Sequence, residues 1–243
     1  SRRWPTRWPS RTRPWPGSRV PSRSTGWQTS IDPSRVYGAQ QGTAVVMNWD
    51  DQPDGATALP HDLRRGLKQS WIATMGDLNE AEAENILVAA NRWYRRRLTL
   101  DSLLDDVAVR DLHRDMFGEV WAWAGSYRSR LLNIGVDPTQ VPVAVRGLVD
   151  DAKYWFATDS PAEVDVAAVR LHHALVAIHP FSNGNGRHAR LLTDLVLSVV
   201  KAPAFTWGRR DLGPISEVRA RYVAALRQAD RGDYEALVEF VRT

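Results

Sequence analysis

The chain has no cysteine. That excludes disulfides and any thiolate-based metal centre, and it suits a reducing, cytoplasmic setting. No run of eighteen apolar residues occurs, so no segment reads as a membrane span. The N-terminus is basic but lacks the apolar core of a secretory leader. Internal repeats are missing. So is any cationic excess in the body of the chain. The formal charge of +4 comes from residues 1–46, which hold eight Arg and one Asp; the other 197 residues hold 24 basic and 27 acidic side chains. A nucleic-acid role argued from the overall charge would rest on that N-terminal stretch alone, and none is expected of the rest.

What is present divides in two. Residues 1–46 carry six Pro, four Trp and eight Arg with little periodicity. Proline at that density prevents a regular helix, so disorder or polyproline II is expected. One functional reading is a basic arm whose aromatics stack on nucleic acid. The competing one is a start codon placed too far upstream, with the ordinary sequence opening at Met47. Residues 47–243 are long enough for one good-sized domain.

Within 47–243 the periodicity is helical almost throughout, so an all-α fold is expected. A short helix is predicted over His61–Ile72. A long one follows over Leu78–Leu98, opened by an Asp77/Glu80 capping box, with Ala83, Leu87, Ala90, Tyr94 and Leu98 as its apolar stripe. Further helices are expected over Leu103–Phe117, from Pro138–Pro142 to about Thr158, and over Glu163–Ile178, Ala189–Val200, Ile215–Ala229 and Tyr234–Arg242. Tyr127–Ile134 alternates like a short β-hairpin. His172, His173 and His188 lack metal spacing or a paired carboxylate and read as packing or surface residues. Trp93, Trp121, Trp123 and Trp155 read as core.

The chemistry gathers in His179-Pro180-Phe181-Ser182-Asn183-Gly184-Asn185-Gly186-Arg187-His188-Ala189-Arg190. Pro180 stops the preceding helix near His179. A glycine-rich turn then opens a new apolar helix, so backbone N–H groups converge at a helix N-terminus, where anions bind. Arg187 and Arg190 follow three apart, on one face. A plain turn between helices explains the Gly and Pro but not a histidine beside two arginines.

This stretch resembles the signature of the Fic (Fic/Doc, or Fido) family, H-P-F-x-[D/E]-G-N-G-R-x-x-R, departing from it at Asn183. FGEVWAWAGSYR looks like the segment before the family's β-hairpin flap, and ARYVAALRQADRGDYEALVEFV looks like its closing helices. Residues 47–243 look like the subgroup called mobile mystery protein B. The resemblance implies a helical bundle with a small β-hairpin flap, and transfer of AMP from ATP to a Ser, Thr or Tyr hydroxyl of a target protein. His179 would be the general base. Gly184, Asn185, Gly186, Arg187 and Arg190 would hold the phosphates. Asn183 would stand as a weaker ligand for Mg²⁺ or Mn²⁺ where the family has an acid. Flap side chains such as Arg128, Arg130 and Leu132 would face the target. A homo-oligomer is left open. So is a weak or inactive Fic module that binds nucleotide or a protein partner.

Many Fic proteins also carry an inhibitory helix with the motif [S/T]-x-x-x-E-[G/N]. Glu84-Asn85 matches its end, with Glu80 in place of Ser or Thr, in the helix predicted over 78–98. The resemblance pairs Glu84 with Arg190 as a brake. The bland alternative is a solvated helix face.

Overall fold

The structure is a computed structural model that describes residues 66–157, 160–209 and 215–243. The N-terminal extension and the first five residues of the helix expected over His61–Ile72 lie outside those residues. The architecture is a bundle of helices, labelled α1 (Met75–Tyr94), α2 (Leu100–Leu103), α3 (Asp106–Phe117), α4 (Val141–Trp155), α5 (Pro161–Ile178), α6 (Asn185–Val199), α7 (Ile215–Ala229) and α8 (Glu235–Arg242). Among the described residues, no helix is long and apolar enough to cross a membrane.

Helices α5 and α6 form the central pair. Around them, α4 packs on α5, α1 on α3, and α7 on α8. The sequence explains the centre. In α5 every face carries buried residues, from Val164 through Leu171, His172 and Leu175 to Ile178. Helix α6 is likewise buried from Asn185 to Leu197. A helix buried all round belongs in the middle of a bundle. The histidines among these apolar residues tie helices together. The His172 ring meets the Tyr222 hydroxyl of α7 at 2.8 Å, and the His173 ring meets Asp230 at 2.9 Å. The His188 ring meets the Val109 carbonyl of α3 at 2.9 Å. The expectation that these three serve packing holds. Trp93 and Trp121 are buried as expected, while Trp123 and Trp155 pack from partly buried positions.

Several boundaries move. Residues 66–72 are not helical: Leu67 forms an isolated antiparallel bridge with Trp121, secured by Lys68 N–H to Val120 O at 2.9 Å and Ala122 N–H to Gly66 O at 2.8 Å. Helix α1 begins at Met75, because the capping box is Thr74/Asp77 rather than Asp77/Glu80. Asp77 Oδ2 accepts from the N–H groups of Ala73 and Thr74, and those bonds lower its pKa. The box starts α1 three residues early, and the buried face is Leu78, Glu82, Ile86, Ala89, Ala90 and Trp93, which shares only Ala90 with the predicted stripe. No strand pairing forms over 127–134. That segment is fastened to the chain beneath it, through Arg128 N–H to Pro180 O at 2.9 Å, rather than to a partner strand.

Candidate active site

The motif occupies the turn between the two central helices. His179 caps the C-terminus of α5 with φ 54° and ψ 60°, a left-handed conformation. For a non-glycine residue this costs on the order of 1–3 kcal/mol and persists only where surrounding bonds enforce it. Those bonds are present. His179 N–H donates to Leu175 O at 3.1 Å, and its carbonyl accepts from Arg128 Nε at 2.6 Å. The half-buried ring has Nδ1 facing Val176 O at 3.3 Å. A proton held on Nδ1 leaves the Nε2 lone pair as the basic position.

Beyond Pro180 the loop is rigid. Phe181 is fully buried, stacked on the His113 ring with centroids 3.7 Å apart. The Asn185 side chain closes onto the Phe181 backbone twice: its Oδ1 accepts from Phe181 N–H at 2.9 Å, and its Nδ2 donates to Phe181 O at 2.8 Å. The side chain is buried and committed to shaping the loop, and only its backbone N–H belongs to the helix start. Gly184 caps α6 in a left-handed conformation, φ 77°. A Cβ there would fall 2.6 Å from Cε2 of the buried Phe117 ring, so glycine is required both by φ and by space. At Gly186 an added Cβ would meet nothing within 4 Å, so the space beside the helix start is open.

No side chain caps α6. Its first N–H groups have no partner within the helix, and the dipole's positive end adds to them. Such a helix start has the geometry that favours an anion. The two arginines behave differently. Arg187 lies at the edge of the site, its side chain 11% exposed, with the guanidinium 5.0 Å from the Phe117 ring centroid. Arg190 is turned the other way, between Trp207 at 5.8 Å and Tyr222 at 5.1 Å, and is hydrogen-bonded to the Tyr222 hydroxyl.

The expected pairing of Glu84 with Arg190 does not form. Glu84 lies on the exposed face of α1, and Asn85 is spent on structure, donating to Asp115 O and accepting from Glu119 N–H, both at 3.1 Å. Glu82, two residues earlier, takes the inward position. It is 2% exposed, accepts from Trp121 Nε1 at 2.6 Å, and forms an ion pair with Arg187 Nη1 at 2.7 Å. Glu82 and Glu84 lie about 200° apart around the helix, so only one of them faces the core. A glutamate in an EAEAE run reads as solvated, and only its partners reveal otherwise.

His113 is a second residue the sequence did not single out. Fully buried on α3, it takes Gly125 N–H on Nδ1 at 3.0 Å and places Nε2 3.1 Å from Asn183 O. That pattern requires a neutral ring protonated on Nε2, and burial lowers its pKa well below the usual histidine value. The ring therefore fixes the backbone of Asn183. The Asn183 side chain turns inward, its Oδ1 accepting from Gly184 N–H at 2.7 Å. Among the described residues no cluster of acidic or histidine side chains could hold a metal by itself. Asn183 offers one neutral oxygen, so a divalent ion here would take its remaining ligands from phosphate and water. Arg128, expected to face a target, is instead buried beneath His179, while Arg130, Leu131, Leu132 and Ile134 are exposed around it.

Comparisons with known proteins fall on the same part of the chain. The model of the Fic/DOC family matches residues 103–197. Protein adenylyltransferase Fic-1 of Caenorhabditis elegans is 31% identical over 147 residues, covering 56% of this chain and 27% of its own length. A Fido domain-containing protein of Dictyostelium discoideum is 38% identical over 98 residues, covering 40% of this chain and 63% of its own. The chain thus spans about a quarter of the nematode relative. Among solved structures, BepC, a VirB-translocated effector from Bartonella tribocorum crystallised with AMPPNP, matches with a TM-score of 0.55 and 17% identity over 69% of this chain and 85% of that one. At that identity the likeness is one of fold. The motif and nearly all of the central helix pair fall within residues 103–197, the stretch that is similar to the Fic/DOC family.

Proposed function

We propose that this chain is a protein adenylyltransferase that moves AMP from ATP to a Ser, Thr or Tyr hydroxyl of a target protein. The observation that carries the reading is the position of His179 beside the uncapped start of α6, with Arg187 at its edge. His179 Nε2 takes the hydroxyl proton. The hydroxyl oxygen attacks the α-phosphorus, the bond from that phosphorus to its bridging oxygen breaks, and pyrophosphate leaves. The N–H groups of α6 and the Arg187 fork balance the phosphate charge. Open space at Gly186 leaves room for phosphate oxygens against the backbone. Asn183 Oδ1 would be this chain's own ligand to Mg²⁺ or Mn²⁺, which would supply positive charge to the phosphates. The name of the nematode relative supports the reaction. The likeness to mobile mystery protein B rests on Asn183 and the flanking segments.

The same reading includes a restraint. Glu82 holds the guanidinium that phosphate would need, so α1 competes with nucleotide for Arg187. A second reading is a nucleotide-binding module without turnover, favoured by the neutral Asn183. His179→Ala separates the two. Adenylylation of proteins in a lysate with labelled ATP is expected to disappear in the variant while ATP binding stays. Equal labelling by parent and variant would refute His179 as the base. ATP binding by the parent with no labelling, even once Glu82 is replaced, would favour the module.

A further inference from the structure

Arg128 is an arginine buried to 4% exposure whose guanidinium donates to backbone carbonyls. Its Nε donates to His179 O at 2.6 Å, its Nη1 to Arg130 O at 2.9 Å, and its Nη2 to Val136 O. Burial draws its pKa down, opposed by the charge of nearby Asp137. Two backbone bonds run in parallel: Arg128 N–H to Pro180 O at 2.9 Å and Val136 N–H to Ile178 O at 3.2 Å. One guanidinium therefore grips the exposed segment 129–135 at both ends and the left-handed residue that carries the base. Gly135 completes the joint. With φ +97° it lies so close that a Cβ would fall 2.8 Å from His179 Cβ and 2.6 Å from Arg128 Nη2.

We propose that Arg128, with Gly135 packed against it, is a positioning residue that joins the exposed segment 129–135 mechanically to His179. A fold that needed only a cross-link here could use any donor. The planar fork reaches carbonyls on both sides at once, which a lysine ammonium on a flexible stem cannot reproduce. Leu131, Leu132 and Ile134 expose apolar surface on this segment. A polypeptide that settles on it presses on the element holding the base, so target docking and base alignment are one event. Nucleotide binding, at the start of α6, is a separate one. The inference rests on the adenylyltransferase reading for its kinetic consequence, but not for its structural one.

Arg128→Lys and Gly135→Ala test it, with Tm recorded to confirm folding. In both variants kcat for target labelling is expected to fall at least tenfold while KM for ATP stays within about twofold, an asymmetry that general loosening would not give. In parallel, the His179 Hε1 resonance, assigned by its loss in His179→Ala, is expected to move, while those of His172, His173 and His188 stay. A resonance that moves when the parent itself transfers no AMP would uphold the joint and sink the enzymatic reading. Unchanged kcat, or an unmoved His179 resonance in both folded variants, would overturn the joint. Gly135→Ala keeps the test decisive should Arg128→Lys fail to fold.

Discussion

Replacing Glu82 by glutamine separates a brake from a strut. The pair it breaks is buried on both sides, with the Arg187 and Glu82 side chains 11% and 3% exposed and 2.7 Å between nitrogen and oxygen. Removing one partner of a buried pair outright costs about 3–5 kcal/mol. Glutamine keeps an oxygen for Trp121 Nε1 and a neutral contact for Arg187, so a loss of about 1–3 kcal/mol is expected. For a chain of this size that is a fall in Tm of roughly 3–10 °C. Nucleotide affinity should move the other way. A charge-assisted bond from Arg187 to phosphate is worth roughly 1.5–3 kcal/mol, and it becomes available once the carboxylate no longer competes. At about 1.4 kcal/mol per decade, ATP should bind roughly 10- to 100-fold more tightly. Titration calorimetry with ATP and labelling of a lysate read the gain, and a urea or thermal melt reads the loss. Glu84→Ala is the control and should change neither, because Glu84 is solvated. A folded Glu82→Gln protein with unchanged or weaker ATP binding would refute the restraint and leave Glu82 as a structural anchor of Arg187.

Gly184→Ala should cost about 2–4 kcal/mol in chemical denaturation, since it meets both a left-handed φ and the immovable Phe117 ring. Full stability in that variant would show that the loop can shift as a body. Acid should weaken the fold through His188, whose pKa is lowered from 6.5 to about 4 by burial. Between those values the unfolded chain binds a proton that the native chain refuses, so stability is intact above pH 6.5 and falls as pH drops toward 4, by about 3 kcal/mol in total. Urea melts at pH 7.5 and 4.5 should show a smaller acid loss for His188→Asn than for the parent; an equal loss would place the acid sensitivity elsewhere.

The motif was legible because its residue types have few other uses together: proline after histidine, a Gly-Asn-Gly turn and paired arginines define a helix–turn–helix with an anion site at its centre. The central helices were legible because each is apolar on most faces. Helix α1 was not. Its Ala- and Glu-rich first half has no unambiguous apolar stripe, so nothing local distinguishes Glu82 from Glu84 as the one that faces the core. The alternating pattern over 127–134 suggested paired strands, but period-two hydrophobicity reports extension and exposure, not a partner. The structural roles of Arg128 and His113 were invisible for a related reason. Each is a polar residue whose value lies in backbone groups far along the chain, Arg128 reaching His179 and His113 reaching Asn183, and no local pattern encodes such a match.

The closure of Asn185 onto the Phe181 backbone has a kinetic corollary. A loop whose shape is fixed by its own internal bonds has no ordering step to perform when a ligand arrives, so association should lack the slow phase of a folding loop. What remains to move is a single carboxylate on α1. Nucleotide on-rates should then report the lifetime of the Glu82–Arg187 contact: biphasic or slow in the parent, and approaching the rate of simple encounter once that contact is gone.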